Sequence, residues 1–287
     1  AYLDQQNIDW KKVKEIYEPK AEKISNDQEF IQLLEIALNE LHNGHSSLNT
    51  NLNSSNRLIP SGSDFYVEKV GNKFFVADLR KGFGADLSGM KIGMEVTKFN
   101  GKPIDEQLKK FLPKFTNQHN PKMYQYAIDM LFAGTYDVER EITAVENGKS
   151  KTYKPVSYRN RDELLYSKII NDKTAYIKIN NSLGNNALIS EFDKTLDSFF
   201  QHKNLIIDLT ETPSGGNSTV ARAIMGRFTT KLLPYQIHEF DEKEYETKRH
   251  WTEFVTPRKE IYQGNVFVLV GHWTGSMGEG IAIGFDG

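Results

Sequence analysis

The sequence predicts a mixed α/β protein built from a helical segment, a β-rich segment and an α/β segment. Three observations predict it. Apolar residues recur at helical spacing across residues 1–50, and apolar runs flank the turn pair Gly71-Asn72 as hairpin strands would. From residue 168 onward, strand-like and helix-like stretches alternate, the pattern of a sheet covered by helices.

In the first segment, Asp9 is placed to cap a helix carrying Trp10, Val13, Ile16 and Tyr17 on one face and ending before Pro19. Ser25-Asn-Asp-Gln28 has the spacing of a capping box, and it opens a helix whose apolar face is Phe30, Leu33, Leu34, Ala37, Leu38 and Leu41. Gly44 is expected as the glycine just past that helix. His45 then stands at a rigid helix end, where it is either a solvated loop histidine or a side chain aimed at a distant partner.

Residues 49–63 are polar and turn-rich, the composition of a linker. Phe65–Val70 and Lys73–Asp78 form the expected hairpin. Residues 105–133 read as helical. Val138–Val145 and Thr152–Val156 read as a second hairpin turning at Asn147-Gly148, and residues 157–167 as a charged connector. Beyond 168 the expected order is a strand at Thr174–Ile179, a helix from Ala187 to His202 and a strand at Asn204–Leu209. A glycine turn over 210–217 and a helix from Ser218 to Phe228 follow, then a long connector over 231–263. The chain closes on a strand at Gly264–Gly271, a turn, and a small-residue helix containing Gly280-Ile281-Ala282-Ile283-Gly284.

Ser276 stands at that last strand-to-helix junction, close to the N-terminal amides of the helix. Ser276-Met-Gly-Glu279 is also a capping-box pattern, so the serine reads locally either as a cap or as a nucleophile. The second strand-to-helix turn carries Gly215-Gly216, and a glycine pair lets bare amides face a neighbouring site. If the two strands are neighbours, one of those amides and that of Met277 can polarise a single carbonyl oxygen beside Ser276, which is the logic of an oxyanion hole.

Composition narrows the alternatives. A chain of 287 residues, 38% apolar and 26% charged, can bury a large core. Its formal charge of −2, with basic residues scattered, gives no pull toward nucleic acid or anionic membrane. No apolar run approaches the ~20 residues that span a bilayer. With no cysteine, thiolate catalysis, disulfides and cysteine-bound zinc are excluded. The histidines are dispersed and no H-E-x-x-H occurs, so neither a metal nor another cofactor is expected. A P-loop is absent. An α/β-hydrolase is excluded because Thr274 breaks G-x-S-x-G and no histidine follows Ser276. His272, four residues before Ser276, reads as structural or as lining a cleft.

Four stretches in order resemble the tail-specific, or C-terminal processing, serine peptidases, including the tricorn-core-like branch. They are Asn43-Gly44-His45, Thr174–Ile179, the run from Asp208 to Gly216, and Thr274-Gly-Ser-Met-Gly-Glu279. The family shows "D-x-H", "G-Y-I-x-I", "I-I-D-L-R-x-N-x-G-G" and "T-A-S-A-x-E" there. Thr210 and Thr212 replace the family's Arg and Asn, and Gly44 replaces a serine before the histidine. Leu87–Ile104 is similar to the second half of a permuted PDZ domain, with Met94-Glu95 where Asp-hydrophobic is usual.

The resemblance implies a helical domain at 1–55, a PDZ-like domain at 60–115, a helical and hairpin connector at 116–167, and an α/β catalytic domain of the ClpP/crotonase-like type at 168–287. It implies a serine endopeptidase with Ser276 as nucleophile, His45 as general base, and backbone amides of Met277 and Gly216 or Gly215 as oxyanion donors. The implied partner is a polypeptide, held by its C-terminus at the PDZ-like domain, in the periplasm or outside the cell. The other branch of the family uses a lysine downstream of the serine, and the tricorn-like branch a late carboxylate. Only eleven residues follow Ser276, so the chain is expected to be a fragment ending before its last strand, its leader removed or omitted before Ala1. The competing reading is a non-catalytic protein of the same fold that binds a peptide or an apolar ligand. Hydrolysis of a non-peptide ester at the same serine is a third.

Overall fold

The computed structural model describes residues 2–49, 52–156 and 163–287. The chain divides into two compact units, Ala1–Asn160 and Arg161–Gly287. Residues 157–162 of the expected charged connector, and Thr50 and Asn51 of the expected linker, lie outside the described residues.

The first unit opens with α1 (Tyr2–Gln5), α2 (Trp10–Ala21) and α3 (Asp27–Leu38), followed by a 3-10 turn at Asn39–Leu41. Asp9 caps α2, its carboxylate accepting from the Lys12 amide at 3.0 Å. The helix does not stop before Pro19 but runs through it. The proline falls in the last turn, where it withdraws a donor only from the Glu15 carbonyl, and both residues are exposed to water. The cap of α3 is Asn26 rather than Ser25. Asn26 accepts from the Glu29 amide at 2.9 Å while Glu29 returns to the Ser25 amide at 3.2 Å. Leu33, Ala37 and Leu41 pack on a core of Ile8, Val13, Tyr17, Phe115 and Met123, but Phe30 stays 46% exposed. The left-handed residue that ends this helical stretch is His42 (φ 36°), not Gly44. Gly44 answers a different constraint: a Cβ there would lie 3.0 Å from the Ile59 carbonyl oxygen.

The same unit holds strands β1 (Phe65–Val70), β2 (Lys73–Leu79), β3 (Glu95–Phe99), β4 (Lys102–Pro103), β5 (Ile142–Glu146) and β6 (Lys149–Tyr153). Helices α4 (Gly84–Leu87), α5 (Ile104–Leu108) and α6 (Pro121–Ala133) accompany them. The sheet runs β1-β2-β3-β5-β6 with β4 on β3, so the hairpin read as part of a connector extends the sheet of the PDZ-like segment. Asn100-Gly101 and Asn147-Gly148 both hold paired positive φ angles, as a two-residue turn matched to strand twist requires. Phe65, Val76, Val96, Ile128, Phe132 and Ile142 are buried between this sheet and α6. Glu40, 2% exposed, ties the helical segment to it by accepting from the Tyr17 hydroxyl (2.6 Å) and the Lys114 amide (2.7 Å).

In the second unit β7 (Leu165–Asn171), β8 (Thr174–Ile179), β9 (Asn204–Asp208) and β12 (Asn265–Leu269) form one sheet in the order β12-β9-β8-β7. The first three run parallel, and β7 pairs antiparallel at the edge. Helices α7 (Ala187–Asp197), α8 (Ser218–Met225) and α9 (Met277–Asp286) complete the expected strand–helix alternation. Ile177, Ile207, Leu188, Phe192, Leu196, Val220 and Ile281 are fully buried in its core. The long connector contains a hairpin of β10 (Leu233–Glu242) and β11 (Thr247–Val255). Beyond it, the Arg227 guanidinium is buried and donates to Asp193 at 2.8 Å, to Asp197, and to the Glu260 carbonyl at 3.0 Å. Arg258 adds a bond to Asp193 at 2.6 Å. Burial opposes ionisation of Asp193, but the two guanidiniums outweigh it and hold its pKa below the ordinary carboxylate value. This network fastens α7, the end of α8 and the segment that leads into β12.

Candidate active site

The site grows from the C-terminal ends of adjacent parallel strands, where α/β sheets collect their functional loops. Leu269 of β12 lies in register with Asp208 of β9, so the turns that follow leave the sheet side by side. They are bonded to one another. Thr212 donates its amide to the Trp273 carbonyl (3.1 Å), Gly275 donates to the Thr212 carbonyl (3.3 Å), and Thr212 and Thr274 form a parallel bridge. Both threonine hydroxyls converge on the Leu209 carbonyl, at 2.8 and 2.9 Å. Thr212 is fully buried, which explains why a small hydroxyl side chain serves here. The turn after β8 joins them through Asn181, which accepts from the Ser214 amide at 2.8 Å and donates to its hydroxyl at 3.0 Å.

Ser276 ends the second turn and precedes α9. It is solvent-exposed and holds φ 50°, ψ −112°, the conformation of the glycine position in a type II′ turn. An L-residue there is strained by about 1–3 kcal/mol, which the surrounding bonds must sustain. One of those bonds is the return half of the capping box, with the Ser276 amide donating to the Glu279 carboxylate at 2.9 Å. Ser276 is therefore the helix cap that its local pattern predicts, presented on a sharp turn.

Gly215 of the glycine pair packs directly against it. A Cβ on Gly215 would lie 2.4 Å from Ser276 Cβ and 2.9 Å from both Ser276 Oγ and the Met277 amide nitrogen. Gly215 also has φ 64°. A Cβ on Gly216 would lie 2.1 Å from the Leu183 carbonyl carbon. The Gly215 amide is committed to the Thr212 carbonyl at 3.1 Å. The amides of Gly216 and Met277 donate to no acceptor among the described residues, and that of Met277 is the first of α9, where the helix dipole is positive.

The structure thus gathers Ser276, Met277, Gly215 and Gly216 in the second unit. His45 is in the first unit, exposed on the loop after the 3-10 turn, its amide held by Asn43 Oδ1 at 2.8 Å. Its neighbour His42 is the buried one, bonded through Nδ1 to the Glu40 carbonyl at 3.2 Å, and burial lowers its pKa. His272 is exposed beside Trp273. Thr212, Thr274 and Asn181, which knit the three turns, were not singled out from sequence as contributors to the site. Their signal is a threonine at matching positions of two strand-to-helix turns. Among the described residues no cluster of three metal-ligating side chains occurs, and no helix is long and apolar enough to cross a membrane.

The second unit thus presents a strained serine at a strand–helix junction, backed by Gly215 and a helix N-terminus. Residues 173–285 match the family model of peptidase family S41, and residues 1–39 match that of the tricorn protease C1 domain. Over its α/β unit the chain is thus similar to a family of serine-type peptidases, and its first helices are similar to a tricorn protease domain. No curated protein sequence matches it. Among solved structures, the photosystem II D1 C-terminal processing protease is 13% identical with a TM-score of 0.53, over 97% of this chain and 72% of that one. Mature CPAF is 12% identical with a TM-score of 0.60, over 99% and 77%. Mature CPAF complexed with lactacystin is 12% identical with a TM-score of 0.57, over 89% and 72%. At such identities these similarities establish a shared fold.

Proposed function

We propose that this chain is the core of a serine endopeptidase that cleaves polypeptides, with Ser276 as nucleophile. The observation that carries the reading is the strained Ser276 packed on Gly215 with the uncommitted Met277 amide beside it. Ser276 Oγ attacks the scissile carbonyl carbon while its proton passes to the general base, for which His45 is the candidate. The negative charge that develops on the carbonyl oxygen is received by the amides of Met277 and Gly216. The tetrahedral intermediate collapses by breaking the C–N bond, the base protonates the leaving amine, and water then hydrolyses the acyl-enzyme by the same steps in reverse order. Gly216 is favoured over Gly215 as donor because the Gly215 amide already serves its own turn. Gly215 contributes by having no side chain.

The α/β unit fits the ClpP/crotonase-like type of catalytic domain, in which such a site sits at the strand ends. The PDZ-like sheet is the proposed holder of the substrate C-terminus, by strand addition at the open edge of β1. In the structure Gln125 of α6 donates to the Val67 carbonyl at 3.1 Å, so an incoming strand that pairs with that carbonyl must displace the glutamine. Family likeness favours action in the periplasm or at the cell envelope. The test is hydrolysis of an unfolded polypeptide by Ser276→Ala and His45→Ala variants. Parent-like rates for Ser276→Ala would remove the reading, whereas parent-like rates for His45→Ala would remove only the assignment of the base.

A further inference from the structure

The first unit contains a cavity of about 570 Å³. It lies among α3, the loop that follows it, the end of β3, and helices α5 and α6, and its volume falls in the range of small-molecule sites. Leu38, Leu58, Phe99, Phe111, Met130 and Leu131 supply apolar wall.

Several polar side chains in the wall are bonded to the protein itself. Asn56 donates to the Met130 carbonyl (2.9 Å), Gln107 to the Phe99 carbonyl (2.6 Å), and Asn100 accepts from the Glu141 amide (2.7 Å). Glu35 accepts from the Ser55 hydroxyl at 2.6 Å, and the Arg57 guanidinium lies over the Tyr136 ring at 5.3 Å. The remaining charged wall residues are Lys110 and Lys114, both exposed and in no ion pair among the described residues. The Lys114 ammonium lies over the Tyr17 ring, 5.9 Å from its centroid. The cavity is therefore apolar inside and cationic at its mouth.

We propose that it binds a free fatty acid, with the aliphatic chain inside and the carboxylate at Lys110 and Lys114. Charge complementarity selects the anionic head. The apolar wall selects a chain without amides, because peptide groups against Leu38, Leu58, Phe99, Phe111, Met130 and Leu131 would lose hydrogen bonds to water.

The test is calorimetric titration of the full chain with decanoate, decanol, and an acetylated peptide ending in apolar residues with a free carboxylate. Decanoate is expected to bind at least about tenfold more tightly than decanol or the peptide. The variant K110E/K114E, altered only at exposed positions, is expected to weaken decanoate at least about tenfold and leave decanol unchanged. The variant Val138→Trp, which places bulk in the cavity wall, is expected to weaken decanoate and decanol together. Unsaturable decanoate binding, peptide binding as tight as decanoate, or indifference of decanoate to the charge reversal would each overturn the proposal.

Discussion

Gly215 and Ser276 are packed so closely that a methyl group on the glycine would stand 2.4 Å from the serine Cβ. The contact explains why a glycine of one strand-to-helix turn is needed for a serine of the other. Gly215→Ala is predicted to push Ser276 off its present conformation and to force an alanine into positive φ. Equilibrium urea unfolding should show a loss on the order of 2–3 kcal/mol, and hydrolysis should fall to near background.

Ser276→Gly carries the opposite prediction for stability. Glycine accepts φ 50° and ψ −112° without strain and costs little as a helix cap. The variant should unfold at equal or higher denaturant concentration, by up to about 1 kcal/mol, while losing hydrolysis altogether. A destabilised Ser276→Gly would show that the turn is not strained.

The Arg227 network gives a prediction remote from the serine. Removing this guanidinium opens a void at a fully buried position and leaves Asp193 to Arg258 alone, and Arg227→Ala is predicted to cost about 3 kcal/mol. Because the native pKa of Asp193 is depressed, its contribution is present above the unfolded carboxylate value and is lost on acidification. Urea midpoints of the parent and Arg227→Ala should therefore approach each other as the pH falls below about 4.

Asp129 on α6 behaves in the contrary sense. Burial pushes its pKa up to about 7, and the 2.8 Å hydrogen bond from Gln125 only partly offsets this. The native state then holds a proton that the unfolded chain releases near pH 4, so stability contributed by the neutral form is lost as the pH rises toward 7. Asp129→Asn should remove that slope, which thermal unfolding between pH 5 and 8 would reveal.

Much of this architecture was legible in the residues, and the exceptions share a cause. Strands β8 and β9 and the α/β order were readable because their apolar runs are buried in one core, against which Val266 and Val268 of β12 pack. Strands β7, β10 and β11 escaped because they have little buried face: Ile169 is 60% exposed, Ile237 77% and Trp251 44%. Their pairing is set by neighbours rather than by a periodic apolar stripe. The helix ends at Pro19 and His42 were misplaced because a proline in an exposed last turn is tolerated and a histidine can take the left-handed position usually given to glycine. At the site, the Ser276 and Gly215-Gly216 turns were found from strand–turn–helix order. Which glycine has the uncommitted amide depends on one turn hydrogen bond, and no composition or spacing encodes that.

The most direct test of Ser276 as nucleophile compares hydrolysis of an unfolded polypeptide by the parent and by Ser276→Ala, with thermal unfolding of both recorded alongside. The prediction is cleavage by the parent and none above background by the variant, with the variant still folded at the assay temperature. Cleavage by Ser276→Ala at the parent's rate would contradict it.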